Sequence, residues 1–184
     1  MKYTLSENEK KNIYALKRIG LNEIWIYKPH SYVTVVTFAL ADGSHVTINT
    51  REQHVANWFE VFLITSENKR LIEEPFLKIT SQHFKDIKNI FLVSLCNWEM
   101  PTIDAGKNRL LGDTKNSTTI FEGREADAPK NALNYSTFDA GIKIQFSNGT
   151  SFFVVTANPF ELAISHELSF SQIDESNYEL TYLC

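Results

Sequence analysis

The sequence predicts an α+β fold, mostly antiparallel β, in which two related four-stranded units with pseudo-twofold symmetry follow an N-terminal helix. Three observations lead there. Ser6 and Glu9 stand at capping-box spacing ahead of an apolar stripe. Asp42-Gly43 and Asn148-Gly149 are turn dipeptides flanked on both sides by alternating apolar residues. No apolar run approaches the ~18 residues of a membrane span, so the apolar residues are spread over short segments.

The helix is expected over residues 6–19, with Ile13, Leu16 and Ile19 forming a stripe narrow enough to lie across a sheet. Gly20 followed by Leu21 suits a Schellman stop in which Leu21 packs on Leu16. Glu23–Lys28 reads as a strand with Ile24 and Ile26 on one face and Trp25 and Tyr27 on the other. Apolar residues on both faces leave two readings. Either the strand is central beneath the helix, or Trp25 and Tyr27 form an open aromatic patch for a partner.

Setting Gly43 on Gly149 brings Val36, Phe38, Leu40, Val46 and Ile48 onto Ile142, Ile144, Phe146, Phe152 and Val154. The match continues from Ala56-Asn57-Trp58-Phe59-Glu60-Val61 to Ala157-Asn158-Pro159-Phe160-Glu161-Leu162, with Arg51–Val55 as an insertion. Ser81-Gln82 and Asn89–Cys96 echo Ser171-Gln172 and Asn177–Cys184, and Leu21-Asn22 parallels Leu133-Asn134. Two copies of one unit are therefore expected, at 21–96 and 133–184, within a single domain 1–184. Face parity requires three-residue loops, Ala41-Asp42-Gly43 and Ser147-Asn148-Gly149, each closed by a left-handed glycine.

Within the units, Ser81 is expected to cap a short helix reaching about Ile87 and followed by a buried strand at Ile90–Cys96, the alternative being a single helix through Leu95. Phe160 to Phe170 alternates as one long, one-sided strand. Between the units, 101–131 reads as a long polar loop, mobile, with Gly106, Gly112, Gly123 and Pro129 interrupting the apolar pairs Leu110-Leu111 and Ile120-Phe121.

The chain has 184 residues, 43% hydrophobic and 22% charged, which suffices for a self-supporting core. Met1–Asn12 is polar and lacks the apolar stretch of a secretory signal, so a cytoplasmic location is expected. Cys96 and Cys184 stand apart, in no metal-ligand cluster, at equivalent places in the two units, which suits a shared packing role. His30, His45, His54, His83 and His166 follow no metal spacing; His166 alone falls on the inward face of an apolar strand. No phosphate loop, zinc, calcium or nucleophile-elbow motif occurs, so no cofactor, no metal and no enzymatic activity are expected.

Charge is the uneven feature. The net charge is −4, yet all 18 Lys and Arg residues precede Ile144, whereas Glu161, Glu167, Asp174, Glu175 and Glu179 follow it. Such a C-terminal unit repels nucleic acid and anionic membranes and favours a basic protein partner, through those five acids and the Trp25 and Tyr27 face.

In its repeated Asp42-Gly43 and Asn148-Gly149 hairpins, its lack of catalytic motifs and its acidic end, the chain resembles the small bacterial immunity proteins that neutralise cognate toxins in contact-dependent inhibition. The resemblance implies a basic nuclease-type toxin domain as partner. Two alternatives stay open: a ligand-binding or hydrolytic pocket between the units, where His166, Trp58 and Trp98 converge, and a structural homodimer on the Trp25 and Tyr27 face.

Overall fold

The computed structural model describes residues 2–28, 32–55, 59–68, 75–80, 84, 86–101, 103–104, 109–110, 118–132, 134–158, 161–165 and 173–184. In chain order these form β1 (Lys2–Tyr3), α1 (Glu7–Ile19), β2 (Leu21–Tyr27), β3 (Val35–Leu40), β4 (His45–Val55), β5 (Phe59–Glu67), β6 (Leu77–Thr80) and β7 (Ile87–Pro101). There follow β8 (Ile103–Asp104), β9 (Arg109–Leu110), β10 (Thr118–Gly123), β11 (Tyr135–Phe146), β12 (Ser151–Asn158), β13 (Glu161–Ser165) and β14 (Glu179–Tyr182). One sheet has the order β5-β4-β3-β2-β6; the larger runs β10-β7-β11-β12-β13, with β14 also on β7 and β1 on β11, and β8 with β9 forms a small hairpin. Every pairing is antiparallel except that of β1 with β11. The α+β class with one helix among the described residues is thus the observed one.

The helix begins as expected: Ser6 Oγ accepts from Glu9 N (3.3 Å) and Glu9 Oε2 from Ser6 N (2.8 Å). It ends at Gly20 with φ +92° but ψ 152°, an extended conformation. The chain therefore passes straight into β2 instead of making the Schellman reversal. Both hairpin loops have three residues. Gly43 (φ +84°) and Gly149 (φ +90°) close them, and Leu40 N donates to Ser44 O (2.9 Å) as Phe146 N does to Thr150 O (3.0 Å). Asp42 and Asn148 repeat one Asx contact, each accepting from the backbone N–H and hydroxyl two residues on.

The strand registers overturn the predicted unit boundaries. The smaller sheet, β5-β4-β3-β2-β6, has its counterpart in β13-β12-β11-β7-β14, so β7 opens the second unit and does not close the first. Ile24 faces Phe38 and Ile26 faces Val36; Ile90 faces Ile144 and Leu92 faces Ile142. Both first strands carry a register shift at the same place, beside Leu21 and beside Ile87. Gly20 O accepts from Ala41 N (3.0 Å) as Asp86 O does from Ser147 N (2.9 Å). The units are consequently 21–80 and 87–184. The echo between Asn89–Cys96 and Asn177–Cys184 came from two strands that pair with each other, β7 and β14. Cys96 and Cys184 accordingly do not occupy equivalent positions, and the region 101–131 is not a linker but an excursion inside the second unit, with Thr118–Gly123 paired as a strand.

Equivalent residues of the two units face one another. Ile24, Ile26, Val36, Phe38, Val46 and Ile48 from one sheet share a core with Ile90, Leu92, Ile142, Ile144, Phe152 and Val154 from the other. The Phe38 and Phe152 rings meet edge to face at 5.8 Å. Full burial of side chains this size is worth about 1.5–3 kcal/mol each, more than strand propensities differ, so the alternation of apolar residues decides which face points inward. Ile13 and Leu16 of α1 join this core. Thr65 Oγ1 and Ser66 Oγ donate to Glu9 Oε1 and Glu9 O (2.7 and 2.6 Å), tying the helix to β5. Burial alone would raise the Glu9 carboxyl, but Ser6, Thr65 and Arg51 outweigh it and hold the pKa below the ordinary value. Of the helix expected from Ser81 to about Ile87, residues 81–83 and 85 lie outside the described residues, while Phe84 and Asp86 are not helical and Ile87 opens β7 because it pairs with Phe146. Phe160 and the far part of the Phe160–Phe170 strand also lie outside them.

Candidate partner-binding surface

The second unit departs from the sandwich where β7 and β11 outrun their counterparts. Beyond Ser94 they carry Trp98 between two cross-strand neighbours, Phe121 on β10 and Tyr135 on β11. The Trp98 and Phe121 rings lie nearly parallel at 6.2 Å. Gly123 makes room for the indole, since a Cβ there would come within 3.0 Å of it.

The free side of β7 holds a composite edge strand. β7 pairs with β11 along one side; on the other, β10 covers Cys96–Pro101 and β14 covers Phe91–Ser94. Both are antiparallel to β7, so they point the same way and lie end to end, with only Leu95 unmatched between Gly123 and Glu179. Backbone bonds between Ile90 and Leu183 and between Ile90 and Cys184 continue the pairing to the C-terminus. The edge is apolar and exposed: Ile120 and Phe121 are 45% exposed, Leu180 38% and Tyr182 61%. Ile120, Leu180 and Tyr182 share the outer face of the sheet, while Phe121 points to the other.

The expected acidic residues divide. Asp174 and Glu175 lie on the outer face of the sheet just ahead of β14, whereas Glu179 opens β14 on its other face. Residues 173–178 cross the outer face of the larger sheet, where Ile173 and Tyr178 pack on Val93, Phe153 and Val155. Asp174 accepts from Ser176 N and Oγ (3.0 and 2.6 Å), which holds its carboxyl below the ordinary range. Lys143 pairs with Glu175. Burial, and then the charges of Glu122 and Asp174, raise the Tyr178 phenol, so those acids lie around its hydroxyl. Glu122 keeps solvent contact on one side, yet the protein around it pushes its carboxyl up. Glu161 instead begins β13, at the opposite edge of the sheet, and Glu167 lies outside the described residues.

The expected aromatic patch is not formed. Trp25 and Tyr27 are 8% and 3% exposed, on the face of β2 turned away from the helix and shared core. Trp25 Nε1 donates to Glu23 Oε2 (2.6 Å), Lys78 Nζ lies 5.3 Å from its ring centroid and the His45 ring 5.1 Å away. Side chains of its own sheet thus cover Trp25, so the pair offers no open aromatic face. A cavity of about 600 Å³ does lie where the units meet, lined by Lys17, Gly20, Leu21, Phe84, Asp86 and Ile87. Trp98 is not in it, and Trp58 and His166 lie outside the described residues. Burial raises both the Cys96 and Cys184 thiols, which opposes thiolate formation. Among the described residues no His, Cys, Asp and Glu side chains gather as a metal site, and no helix is long and apolar enough to cross a membrane.

Sequence reasoning missed Ile120, Phe121, Leu180 and Tyr182. Their signal was slight: an apolar pair in a polar stretch and a two-residue alternation near the chain end. Comparison with known protein families, curated proteins and solved structures returns no match.

Proposed function

We propose that the chain is a non-enzymatic protein-binding module that acts as the toxin-immunity proteins do, binding a basic, nuclease-type domain and neutralising it in the cytoplasm. The observation that carries this reading is that exposed Asp174 and Glu175 lie on the same outer face as exposed Leu180 and Tyr182, with exposed Glu179 opening the same strand. Apolar anchors give affinity, and an acidic surround steers a basic partner and repels nucleic acid. The partner is isolated by affinity capture with the full chain, and its association rate is measured against ionic strength. The rate should fall steeply with salt and fall again for Asp174→Lys with Glu175→Lys. A salt-independent rate, or no effect of the double reversal, refutes the reading.

One observation supports a second reading, a small-ligand site: the cavity between the units sets a cation, Lys17, and an anion, Asp86, among apolar residues. A thermal-shift screen against small charged ligands tests it. Stabilisation of the parent that is lost in Asp86→Ala would favour it over protein binding.

A further inference from the structure

We infer that the composite edge of β10 and β14 accepts an extended basic segment of the partner as an added β-strand. The inference rests on the protein-binding reading and names the place and form of the contact.

The geometry comes first. A sheet edge presents backbone N–H and C=O groups that a further strand can satisfy, and proteins ordinarily shield long edges with lysines, prolines or a covering segment. Here two separate chain segments align on β7 to extend one edge, and among the described residues neither β10 nor β14 has a strand on its other side. The residues on it are not the usual shields. Ile120, Phe121, Leu180 and Tyr182 stand on it, Tyr135 lies one strand inward from β7, and of the exposed large apolar side chains among the described residues only Tyr14 and Phe76 lie elsewhere. Their arrangement suits a strand better than a flat surface: successive residues alternate between faces, so an added strand meets Ile120, Leu180 and Tyr182 on one side and Phe121 on the other.

Charge then selects the occupant. Glu122 projects from the outer face of the edge and Glu179 from the inner. Asp174 and Glu175 lie on the segment leading into β14. Nearby, Arg124 holds Asp127 through two hydrogen bonds (2.9 and 3.0 Å) and lies close enough to Glu179 to interact with it, and Lys143 holds Glu175. An incoming strand therefore meets carboxylates on both faces, which calls for Lys or Arg between apolar residues. The same charges oppose a second copy of this chain, because its own edge brings Glu122 and Glu179 where Lys or Arg is called for.

The test uses the full chain and a synthetic peptide of about ten residues repeating Lys-Lys-Val-Val, which puts both residue types on each face, followed by amide hydrogen exchange at each residue. Two controls accompany it: the peptide with Glu for Lys, and its fully N-methylated form, which keeps the charge but donates no backbone hydrogen bond. The Lys-Val peptide should slow exchange in 118–123 and 179–182 together by about ten-fold or more, and neither control should. Ile120→Lys with Leu180→Lys, both at exposed positions, should remove the protection without lowering the parent melting temperature. Equal binding of the N-methylated peptide would overturn strand addition while leaving an acidic protein-binding surface intact. Absence of protection, or protection elsewhere, overturns the edge assignment. Protection of the same amides by raising the concentration of the chain alone would assign the edge to self-association and overturn the basic occupant.

Discussion

The two units build the same five-stranded sheet and differ in what joins their first two strands. In the first, β2 reaches β3 through residues 28–34; in the second, β7 and β11 extend well past the sandwich and the chain between them carries β8, β9 and β10. Where strands face the shared core, residue types match: Ile24 and Ile90, Ile26 and Leu92, Val46 and Phe152. Where they leave it, the match ends, and exposed apolar side chains collect on β10 and β14. A position packed against the opposite sheet is held by volume, whereas an excursion beyond the core is free to take up residues that serve binding.

The sharpest contrast lies at one pair of equivalent positions. Where the first unit has Val35 opposite Tyr27, the second has Gly141 opposite Val93. A Cβ on Gly141 would come within 2.1 Å of Val154 O and 2.6 Å of a Val155 methyl. Gly141→Ala should therefore destabilise by about 3 kcal/mol or more, and Val35→Gly by about 1 kcal/mol, both by denaturant melts. Similar losses at the two sites would mean that the close approach in the second unit is not real.

The turn glycines sharpen the opposite side of the comparison. Gly43 and Gly149 share a left-handed φ, and a Cβ at either would touch nothing within 4 Å. Gly43→Ala and Gly149→Ala should each cost about 1 kcal/mol, from backbone strain alone, and the double variant about the sum. Unequal costs would break the equivalence of the hairpins.

A third difference concerns the positions two residues before Val35 and Gly141. In the first unit Val33 O accepts from Leu162 N (2.8 Å). In the second the buried Asp139 accepts from Leu5 N (2.7 Å) and Ser94 Oγ (3.3 Å), tying the segment ahead of α1 to β11. Burial raises its carboxyl above the ordinary value despite those bonds and the charges of Lys10 and Lys2. Its contribution is thus present below the unfolded pKa, about 3.9, and is lost as pH rises through the folded value. Asp139→Asn keeps the acceptor for Leu5 and removes the ionisation, so its stability relative to the parent should improve from pH 4 to pH 7. A difference that stays constant across that range would show the carboxyl to be unperturbed.

The smallest effects are expected at the outer cross-strand pairs. Lys78 lies over Trp25 in the first unit, and Tyr182 meets Phe91 edge on at 6.0 Å in the second. Lys78→Ala and Tyr182→Ala should each cost about 0.5–1 kcal/mol in thermal melts, while only Tyr182→Ala should weaken partner binding. Loss of binding in both variants would place the contact off the composite edge.

Local chemistry was legible from residues alone. The capping box of Ser6 and Glu9, the two Asx-glycine loops and the alternation of Val36, Phe38, Ile142 and Ile144 each depend on neighbours within a few positions, so the expected geometry appeared. The true first-strand match, Leu21–Tyr27 with Ile87–Val93, was also present, with Ile24-Trp25-Ile26 against Ile90-Phe91-Leu92. Asn177–Cys184 competes with it, since strands that pair and strands that correspond share one apolar pattern. The acidic residues are legible in the composition, yet the placing of Asp174 and Glu175 depends on the chain crossing the outer face at Ile173 and Tyr178, which no local pattern encodes.

Sequence periodicity and turn chemistry were enough to establish a duplicated antiparallel fold, because hydrogen-bonding and φ preferences act over short distances. Which strand opens each unit, which aromatic residues are covered and which acids meet at an edge followed from long-range pairing. Those outcomes turn on free-energy differences between alternative partners for the same apolar strands, and β7 held its place by satisfying β11, β10 and β14 at once.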